Sequence, residues 1–150
     1  MECHDLSEIN IPENDEKIVI VGNPNVGKSI FFNYFTGKYV TISNYPGTTL
    51  DISHGEYIYN NQKYQVIDTP GIYGVSSFND EEIAARDIIL NADIIINVID
   101  AVHMERDLFL TQQIIDMGIP MVVALNMMDE AEANGLNINV KKLEKELGVS

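Results

Sequence analysis

The sequence is poor in the residues that characterise several classes of protein. Among its 150 residues there is no Trp, one Cys and five Pro. Because Cys3 has no second thiol to pair with, a disulfide framework is excluded and a reducing compartment fits. Only nine Lys and Arg stand against 23 Asp and Glu, giving a formal net charge of −14. Such an acidic surface disfavours a broad nucleic-acid groove, because both surfaces would be negative.

Long apolar runs are also missing. The run of residues 94–99 is far shorter than the roughly 20 residues that span a bilayer, so it predicts a buried strand instead. Hydrophobic residues nevertheless make up 45% of the chain, enough for one globular domain, which we place at residues 16–150. Residues 1–15 are polar and acidic and predict a flexible tail. Within it, Cys3 and His4 lack the partner ligands that a metal site needs.

Short β-rich runs alternate with helical patterns along the domain. This alternation predicts an α/β fold with a mostly parallel sheet, one antiparallel hairpin strand and helices on both faces. Asn60 and Asn61 suit a tight hairpin turn with positive φ. Since the chain reaches Ser150 where another strand would follow, we expect a further strand and helix beyond it. The predicted strands are 17–21, 51–59, 63–67, 93–99 and 120–125, the helices 28–36, 80–90, 105–117 and 140–147, and the loops 38–50 and 69–79.

The most specific motif is a phosphate-binding loop, G-x-x-x-x-G-K-S, between the first strand and the first helix. Gly22 and Gly27 let the backbone approach an anion closely, and the following helix adds its positive end. Lys28 can reach the β- and γ-phosphates, and the Ser29 hydroxyl can bind Mg²⁺. The predicted ligand contacts of this loop are Gly22, Asn23, Pro24, Asn25, Val26, Gly27, Lys28 and Ser29.

Asp68-Thr69-Pro70-Gly71 follows the hairpin and matches D-x-x-G. The Asp68 carboxylate can hold Mg²⁺ through a water, and the Gly71 amide can donate to a γ-phosphate. Loss of that phosphate would release the loop, which describes a switch by order and disorder. In the preceding loop, Gly47, Thr48 and Thr49 are candidate contacts. Spacing favours Thr49 over Thr48 as a further Mg²⁺ ligand.

Asn126-Met127-Met128-Asp129 follows a strand and matches N-K-x-D with Met in place of Lys. The Asp129 carboxylate can accept hydrogen bonds from N1 and the 2-amino group of guanine, whereas adenine lacks that amino group. An unpaired buried carboxylate is costly, so this pair selects the base. We expect Asn126 to brace the phosphate loop and touch the purine, and Met127 to pack on the ring. An alternative is that Asp129 only caps a helix.

Ile72 follows Gly71, at a position where many switch GTPases carry Gln to orient the attacking water. A side chain without hydrogen-bonding groups cannot do this, so slow hydrolysis is expected. We expect Lys28, Mg²⁺ and the loop amides to stabilise the transition state. The predicted catalytic set is Lys28, Asn25, Gly71 and Thr49.

Four stretches together resemble the nucleotide-binding domain of the prokaryotic ferrous-iron transporter FeoB: GNPNVGKS, NYPGTTLD, DTPGIYGVSS and NMMDEAEANG. Residues 81–87 and 100–112 are similar to that family as well, so the resemblance covers about residues 16–150. It implies a P-loop NTPase, small-GTPase fold binding GTP or GDP with Mg²⁺. Thr69 departs from the family, which usually has Leu there.

The resemblance further implies that Asn25 helps hold K⁺ beside the β- and γ-phosphates. It implies a cytoplasmic domain followed in the same polypeptide by a helical domain and a membrane permease, with the fifth guanine loop after Ser150. The expected function is a slowly hydrolysing GTPase switch that regulates or powers ferrous-iron uptake. No iron site is visible, since His54 and His103 stand alone, and homo-oligomerisation stays open.

Two alternatives use the same motifs. One is a soluble Era-like GTPase of ribosome assembly or tRNA modification, against which the absence of a Lys and Arg cluster argues. The other is a module that senses GTP and GDP without useful turnover, which Ile72 motivates.

Overall fold

The computed structural model describes residues 9–76 and 78–150. Strands and helices alternate through this part of the chain, and a 3-10 turn at Ala101–His103 precedes the third helix. The elements are β1 (Glu16–Gly22), α1 (Lys28–Thr36), β2 (Val40–Asn44), β3 (Asp51–Tyr59), β4 (Gln62–Asp68), α2 (Asp80–Leu90), β5 (Ile94–Asp100), α3 (Met104–Asp116), β6 (Met121–Asn126), α4 (Met128–Ala133) and α5 (Val140–Leu147).

The strands form one sheet in the order β2-β3-β4-β1-β5-β6. β1 runs parallel to β4 and β5, and β6 runs parallel to β5. β3 pairs antiparallel with both β2 and β4, so the mostly parallel sheet with one antiparallel strand is confirmed. Because the carboxyl ends of β1, β4, β5 and β6 share one edge, the loops that follow them gather there.

Helices cover both faces of the sheet, as the alternating pattern predicts. On one face α2 and α3 pack on the strands through a cluster that includes Ala84, Ile88, Leu110, Ile114, Val19 and Ile67. On the other face α1 packs through Phe32 against Ile18, Ile20, Val66 and Val98. β1 is buried on both faces, which explains its unbroken apolar sequence.

The predicted bounds of α1, α2 and α5 are those observed, and α3 begins and ends one residue earlier than predicted. Asn60 and Asn61 have φ of 49° and 63°, as the hairpin turn requires.

Two elements correct the sequence-based expectation. Residues 40–44, predicted as part of a loop, form the edge strand β2, which pairs with β3. Both faces of β2 are largely exposed, so it lacks the alternation of buried and exposed residues that reveals a strand. Residues 128–133 form the short helix α4, whose N-cap is Met127 and not Asp129.

The predicted flexible tail at residues 1–15 is corrected for the part that the structure describes. Ile9 and Ile11 are buried in the core cluster on the α2 face. Asp15 accepts a hydrogen bond of 2.8 Å from Gln65 Nε2 on β4, and Ser43 Oγ on β2 lies 3.5 Å from the Ile9 carbonyl. Residues 9–15 therefore lie across the hairpin side of the sheet. Cys3 and His4 fall outside the described residues.

Candidate functional site

The phosphate loop joins β1 to α1 and is shaped by two close backbone approaches. A Cβ on Gly22 would lie 2.6 Å from the Val98 carbonyl oxygen on β5. Gly27 has φ of 95°, and a Cβ there would run into the side-chain amide of Asn126. A side chain at either position would clash with neighbouring atoms, so both positions require glycine even without a ligand.

Asn126 connects the end of β6 to this loop. Its Nδ2 donates a 3.0 Å hydrogen bond to the Val26 carbonyl, which is the brace that the N-K-x-D pattern leads one to expect. Contact between Asn126 and a purine stays a prediction. The brace places Met127 and Asp129, which follow closely along the chain, at the same sheet edge as the phosphate loop.

Lys28 and Asp68 are partly buried groups of opposite charge that interact electrostatically. Burial lowers the pKa of Lys28, and the negative charge of Asp68 acts against that shift. Burial likewise raises the pKa of Asp68 to about 6, against the influence of Lys28. Asp68 Oδ1 is buried and has no hydrogen-bond partner among the described residues. A buried carboxylate oxygen without a hydrogen-bond partner is suited to a polar or cationic ligand.

Ser29 and Asn25 are the exposed polar side chains of the loop. Ser29 lies in the first turn of α1, and Asn25 is held at φ of 65°. Hydroxyl and carboxylate oxygens suit Mg²⁺, so Ser29 and Asp68 fit the predicted site chemically. No cluster of three His, Cys, Asp or Glu side chains able to hold a metal occurs in residues 9–76 and 78–150, so His54 and His103 are not parts of such a cluster.

The loop at residues 45–50 distinguishes the two candidate threonines. Thr48 Oγ1 donates to the Tyr45 carbonyl at 2.9 Å and accepts from the Leu50 amide at 3.1 Å. Its hydroxyl is therefore used to hold the turn, in which Gly47 has φ of 75°. Thr49 is exposed, and this arrangement supports Thr49 as the candidate Mg²⁺ ligand.

The D-x-x-G segment lies directly against the phosphate loop. A Cβ on Gly71 would lie 2.8 Å from Pro24 Cα, and the Ile72 amide donates to the Gly22 carbonyl at 3.2 Å. The Ile72 side chain is 2% exposed and packs in the core, so it does not face the loop surface where a water would attack. Pro70, between Thr69 and Gly71, is half-buried.

Three predicted site residues have buried side chains. Thr69 is buried, and its hydroxyl donates to the Ile20 carbonyl at 2.9 Å, which leaves only its backbone for a ligand. The Val26 side chain is fully buried in the core. Asn23 is 1% exposed, and neither polar atom of its side chain has a partner among the described residues. The predicted ligand contacts of Thr69 and Val26 are therefore limited to their backbone, whereas the unpartnered side-chain amide of Asn23 suits a polar ligand.

The base-recognition end lies where β6 passes into α4. Met127 has φ of 59° and is the N-cap of α4, with no side-chain hydrogen bond to cap the helix. Asp129 lies in the first turn and is exposed. Asp129 is thus not the capping residue, which removes the alternative explanation for its place in the motif.

The structure adds a pair that the motifs do not reveal. Tyr45, which begins the loop with the candidate threonines, is 3% exposed, and its hydroxyl donates to Asp87 Oδ2 on α2 at 2.7 Å. Residues 45–50 are thereby attached to the helix that follows the D-x-x-G loop. A buried Asp in the middle of a helix is the signal that could have indicated such a partner, but the sequence does not say which residue it is.

In the part of the chain that the structure describes, no helix has the length and hydrophobicity needed to cross a membrane.

Comparison with known proteins gives consistent results. A family model described as ferrous iron transport protein B matches residues 16–150. The Fe(2+) transporter FeoB of Legionella pneumophila (strain Lens) is 45% identical over 140 residues, covering 88% of this chain and 18% of the relative. That of Methanocaldococcus jannaschii is 47% identical over 104 residues, covering 68% of this chain and 16% of the relative. The chain thus spans about a fifth of the length of these relatives.

Solved structures agree with the sequence comparison. The FeoB G domain of Methanococcus jannaschii has a TM-score of 0.77 at 43% identity, covering 91% of this chain and 83% of that one. A GDP-bound point mutant of S. thermophilus NFeoB has a TM-score of 0.83 at 43% identity, covering 89% of this chain and 53% of that one. The chain therefore belongs to the ferrous iron transport protein B family, and its fold is that of the family's G domain.

Proposed function

We propose that this chain is a GTP-binding and slowly GTP-hydrolysing switch domain. The observation that carries the proposal is the direct contact between three motifs. Asn126 donates to the phosphate loop at Val26, and Gly71 of the D-x-x-G segment lies against Pro24. The groups needed for the phosphates, the metal and the base are therefore present at one sheet edge.

The roles in nucleotide binding follow from these positions. The amides of the phosphate loop and Lys28 would hold the phosphates, and Ser29, Thr49 and Asp68 would hold Mg²⁺ directly or through water. Bound Mg²⁺ would supply charge neutralisation at the β- and γ-phosphates. Asp129 would select guanine, and the GDP reported for the S. thermophilus relative supports that choice.

Slow hydrolysis is proposed because of Ile72. Its side chain is buried and carries no hydrogen-bonding group, so this chain must orient the attacking water by other means. We propose that K⁺ held by Asn25 supplies a positive charge beside the phosphates. Asn25 is exposed, so its side-chain amide is accessible to a cation.

The biological role is proposed from the family. The relatives are named Fe(2+) transporters, and this chain spans about a fifth of their length. We propose that the domain lies on the cytoplasmic side of the membrane and regulates or powers ferrous-iron uptake through helical and permease parts of the longer protein. Family membership favours this role over that of an Era-like GTPase of ribosome assembly.

Calorimetry with GDP, GTP and XTP in the presence of Mg²⁺ tests the ligand. Wild-type protein should bind GDP and GTP, and Lys28→Ala should abolish tight binding. Asp129→Asn should move the preference towards xanthine nucleotides, because an amide can donate to the 2-oxo group of xanthine where the carboxylate accepted from the 2-amino group of guanine. An Asp129→Asn protein with unchanged preference for GTP would contradict the assignment of the base.

Hydrolysis rates in matched KCl and NaCl buffers test the role of Asn25. We expect faster hydrolysis in K⁺ for wild type and no difference between the two salts for Asn25→Ala. Equal rates for wild type in both salts would contradict the K⁺ site.

A second candidate is a nucleotide sensor without useful turnover, and the buried Ile72 is the observation that favours it. Single-turnover measurement of phosphate release in KCl separates the two candidates. Release of one phosphate per bound GTP supports the GTPase, and no release supports the sensor.

A further inference from the structure

Residues 73–75 follow the D-x-x-G motif and lie against one face of α3. We call these residues the switch segment. The Val75 amide donates a 3.0 Å hydrogen bond to Gln113 Oε1. The guanidinium carbon of Arg106 lies 6.0 Å from the centre of the Tyr73 ring, within the range of a cation–π contact. The switch segment is therefore held by two side chains of a neighbouring helix.

The helix residues share one face, and the segment lies close to it. Arg106, Phe109 and Gln113 are spaced by three and four residues, so they fall on the same side of α3. At Gly74 a Cβ would lie 3.0 Å from Gln113 Oε1 and 3.5 Å from Phe109 Cε1. The bare backbone of Gly74 thus lets the segment approach the helix.

The helix face is itself held in place. Arg106 Nε donates to Asp107 Oδ1 at 2.9 Å, and Asp107 Oδ2 accepts from the Asp100 amide at 2.9 Å. Asp107 is 1% exposed, so this network joins the start of α3 to the end of β5 inside the protein. A rigid support of this kind can transmit position to the loop that it carries.

The other end of the same loop is anchored on the phosphate loop. The Ile72 amide donates to the Gly22 carbonyl, and the Ile72 side chain is buried. Gly71 is in contact with Pro24. The Gly71 amide is the candidate donor to a γ-phosphate. Two attachments follow Gly71 along the chain: Ile72 is bonded to the phosphate loop, and the switch segment is bonded to α3.

We propose that Gln113 is a positioning residue that holds the switch segment on α3 and thereby keeps Gly71 in reach of the γ-phosphate. This inference rests on the proposed function. Because GDP has no γ-phosphate, its binding does not need Gly71 in that position. Loss of the Gln113 contact therefore weakens the binding of a triphosphate selectively and leaves the binding of GDP unchanged.

The test compares two adjacent glutamines of α3 in the full chain. Gln113→Ala removes the acceptor, whereas Gln112→Ala removes an exposed side chain that donates to Asp116 at 3.1 Å on the same helix. Gln113→Glu keeps an acceptor oxygen and should restore wild-type behaviour. The measurements are the Kd of a non-hydrolysable GTP analogue, the Kd of GDP, and the hydrogen-exchange rate of the Val75 amide.

For Gln113→Ala we expect the Kd of the analogue to rise roughly two- to tenfold, which is the range of one hydrogen bond. The Kd of GDP should stay within about twofold of wild type, and the Val75 amide should exchange faster by a factor similar to the rise for the analogue. Gln112→Ala should match wild type in all three measurements. An equal change for both nucleotides, no change for either, or tighter binding of the analogue would overturn the inference.

A second variant acts from the other side of the contact. Gly74→Ala leaves α3 intact but places a methyl group against the Gln113 amide, so it should reproduce the selective loss even where Gln113→Ala fails to fold. Failure of wild-type protein to bind either nucleotide would refute the proposed function. If wild type binds both nucleotides normally, but the ratio of the Kd of the analogue to the Kd of GDP is unchanged in both variants, only this inference is refuted.

Discussion

The phosphate loop and the two loops that would sense the nucleotide are held in different ways. The phosphate loop is enclosed by close contacts between its backbone and its neighbours: Gly22 lies under the Val98 carbonyl, and Gly27 lies against the Asn126 amide. Residues 45–50 are attached to α2 by the hydroxyl of Tyr45, and the switch segment is attached to α3 by the amide of Gln113.

This difference has an energetic consequence. A glycine pressed against backbone or a braced amide cannot move without disturbing two elements, so the phosphate loop is preformed. Each side-chain hydrogen bond that attaches the other two loops contributes about 0.5–1.5 kcal/mol, or up to about 3 kcal/mol where the partner is a carboxylate, and a ligand contact can match such a contribution. The preformed phosphate loop suits the part of a ligand that is always present, such as the α- and β-phosphates. The more weakly attached loops suit a part that is present in only one state of the ligand, such as a γ-phosphate.

The largest expected effect tests the enclosure of the phosphate loop. Gly27→Ala places a Cβ in the Asn126 amide at a residue with φ of 95°. Strain and overpacking should together lower the free energy of unfolding by roughly 3 kcal/mol. Urea unfolding of the nucleotide-free protein measures the change.

Gly148→Ala is the matched control for that change. Gly148 is also left-handed, with φ of 70° and ψ of 19°, but a Cβ there would meet nothing within 4 Å. It should cost only the backbone strain, about 1 kcal/mol. If both variants lose the same free energy of unfolding, the contact with Asn126 contributes nothing to stability. The phosphate loop would then not be held more firmly than the other two loops.

The same contrast explains how much of the molecule could be predicted from the sequence. The phosphate loop is recognisable because its residues are consecutive and each has a local reason, such as the two glycines. The attachments of residues 45–50 and of the switch segment join residues far apart: Tyr45 with Asp87, and Val75 with Gln113. Neither partner has a local pattern that points to the other, so only the fold brings them together.

The elements that prediction missed have a related cause. β2 is an exposed edge strand, so Thr41 and Ile42 show no alternation of burial, and the Pro and Gly that follow belong to the next loop. Ile9 and Ile11 lie in an acidic stretch whose composition predicts a tail, yet both are buried. Composition averages over a segment, whereas two well-placed apolar side chains are enough to bind it to the core.

A smaller effect tests the attachment of residues 45–50. Tyr45→Phe removes the hydroxyl and leaves the buried Asp87 oxygen without that donor. Loss of a hydrogen bond to a buried carboxylate should lower the free energy of unfolding by roughly 1–3 kcal/mol. Tyr34→Phe, at a side chain that is 81% exposed, should change it little. A Tyr45→Phe protein as stable as wild type would mean that another contact holds this loop to α2.

The smallest expected effect concerns Asp68, which lies between the two kinds of loop. Burial raises its pKa from 3.8 to about 6, so the folded nucleotide-free protein holds this proton more tightly than the unfolded chain. Stability from Asp68 is therefore gained as pH falls through 6 towards 4 and is lost as pH rises through the same range.

Between pH 7 and pH 5 the gain should be about 1 kcal/mol, measured by urea unfolding at both values without nucleotide. Protonation of other carboxylates also reduces the repulsion of a net charge of −14, so the decisive quantity is the difference between wild type and Asp68→Asn. The variant should lose that part of the pH dependence and keep the rest. If the two proteins gain the same stability at pH 5, burial does not raise the pKa of Asp68 in the folded protein. The ionised carboxylate is then accommodated without a ligand, and the end of β4 is preformed like the phosphate loop.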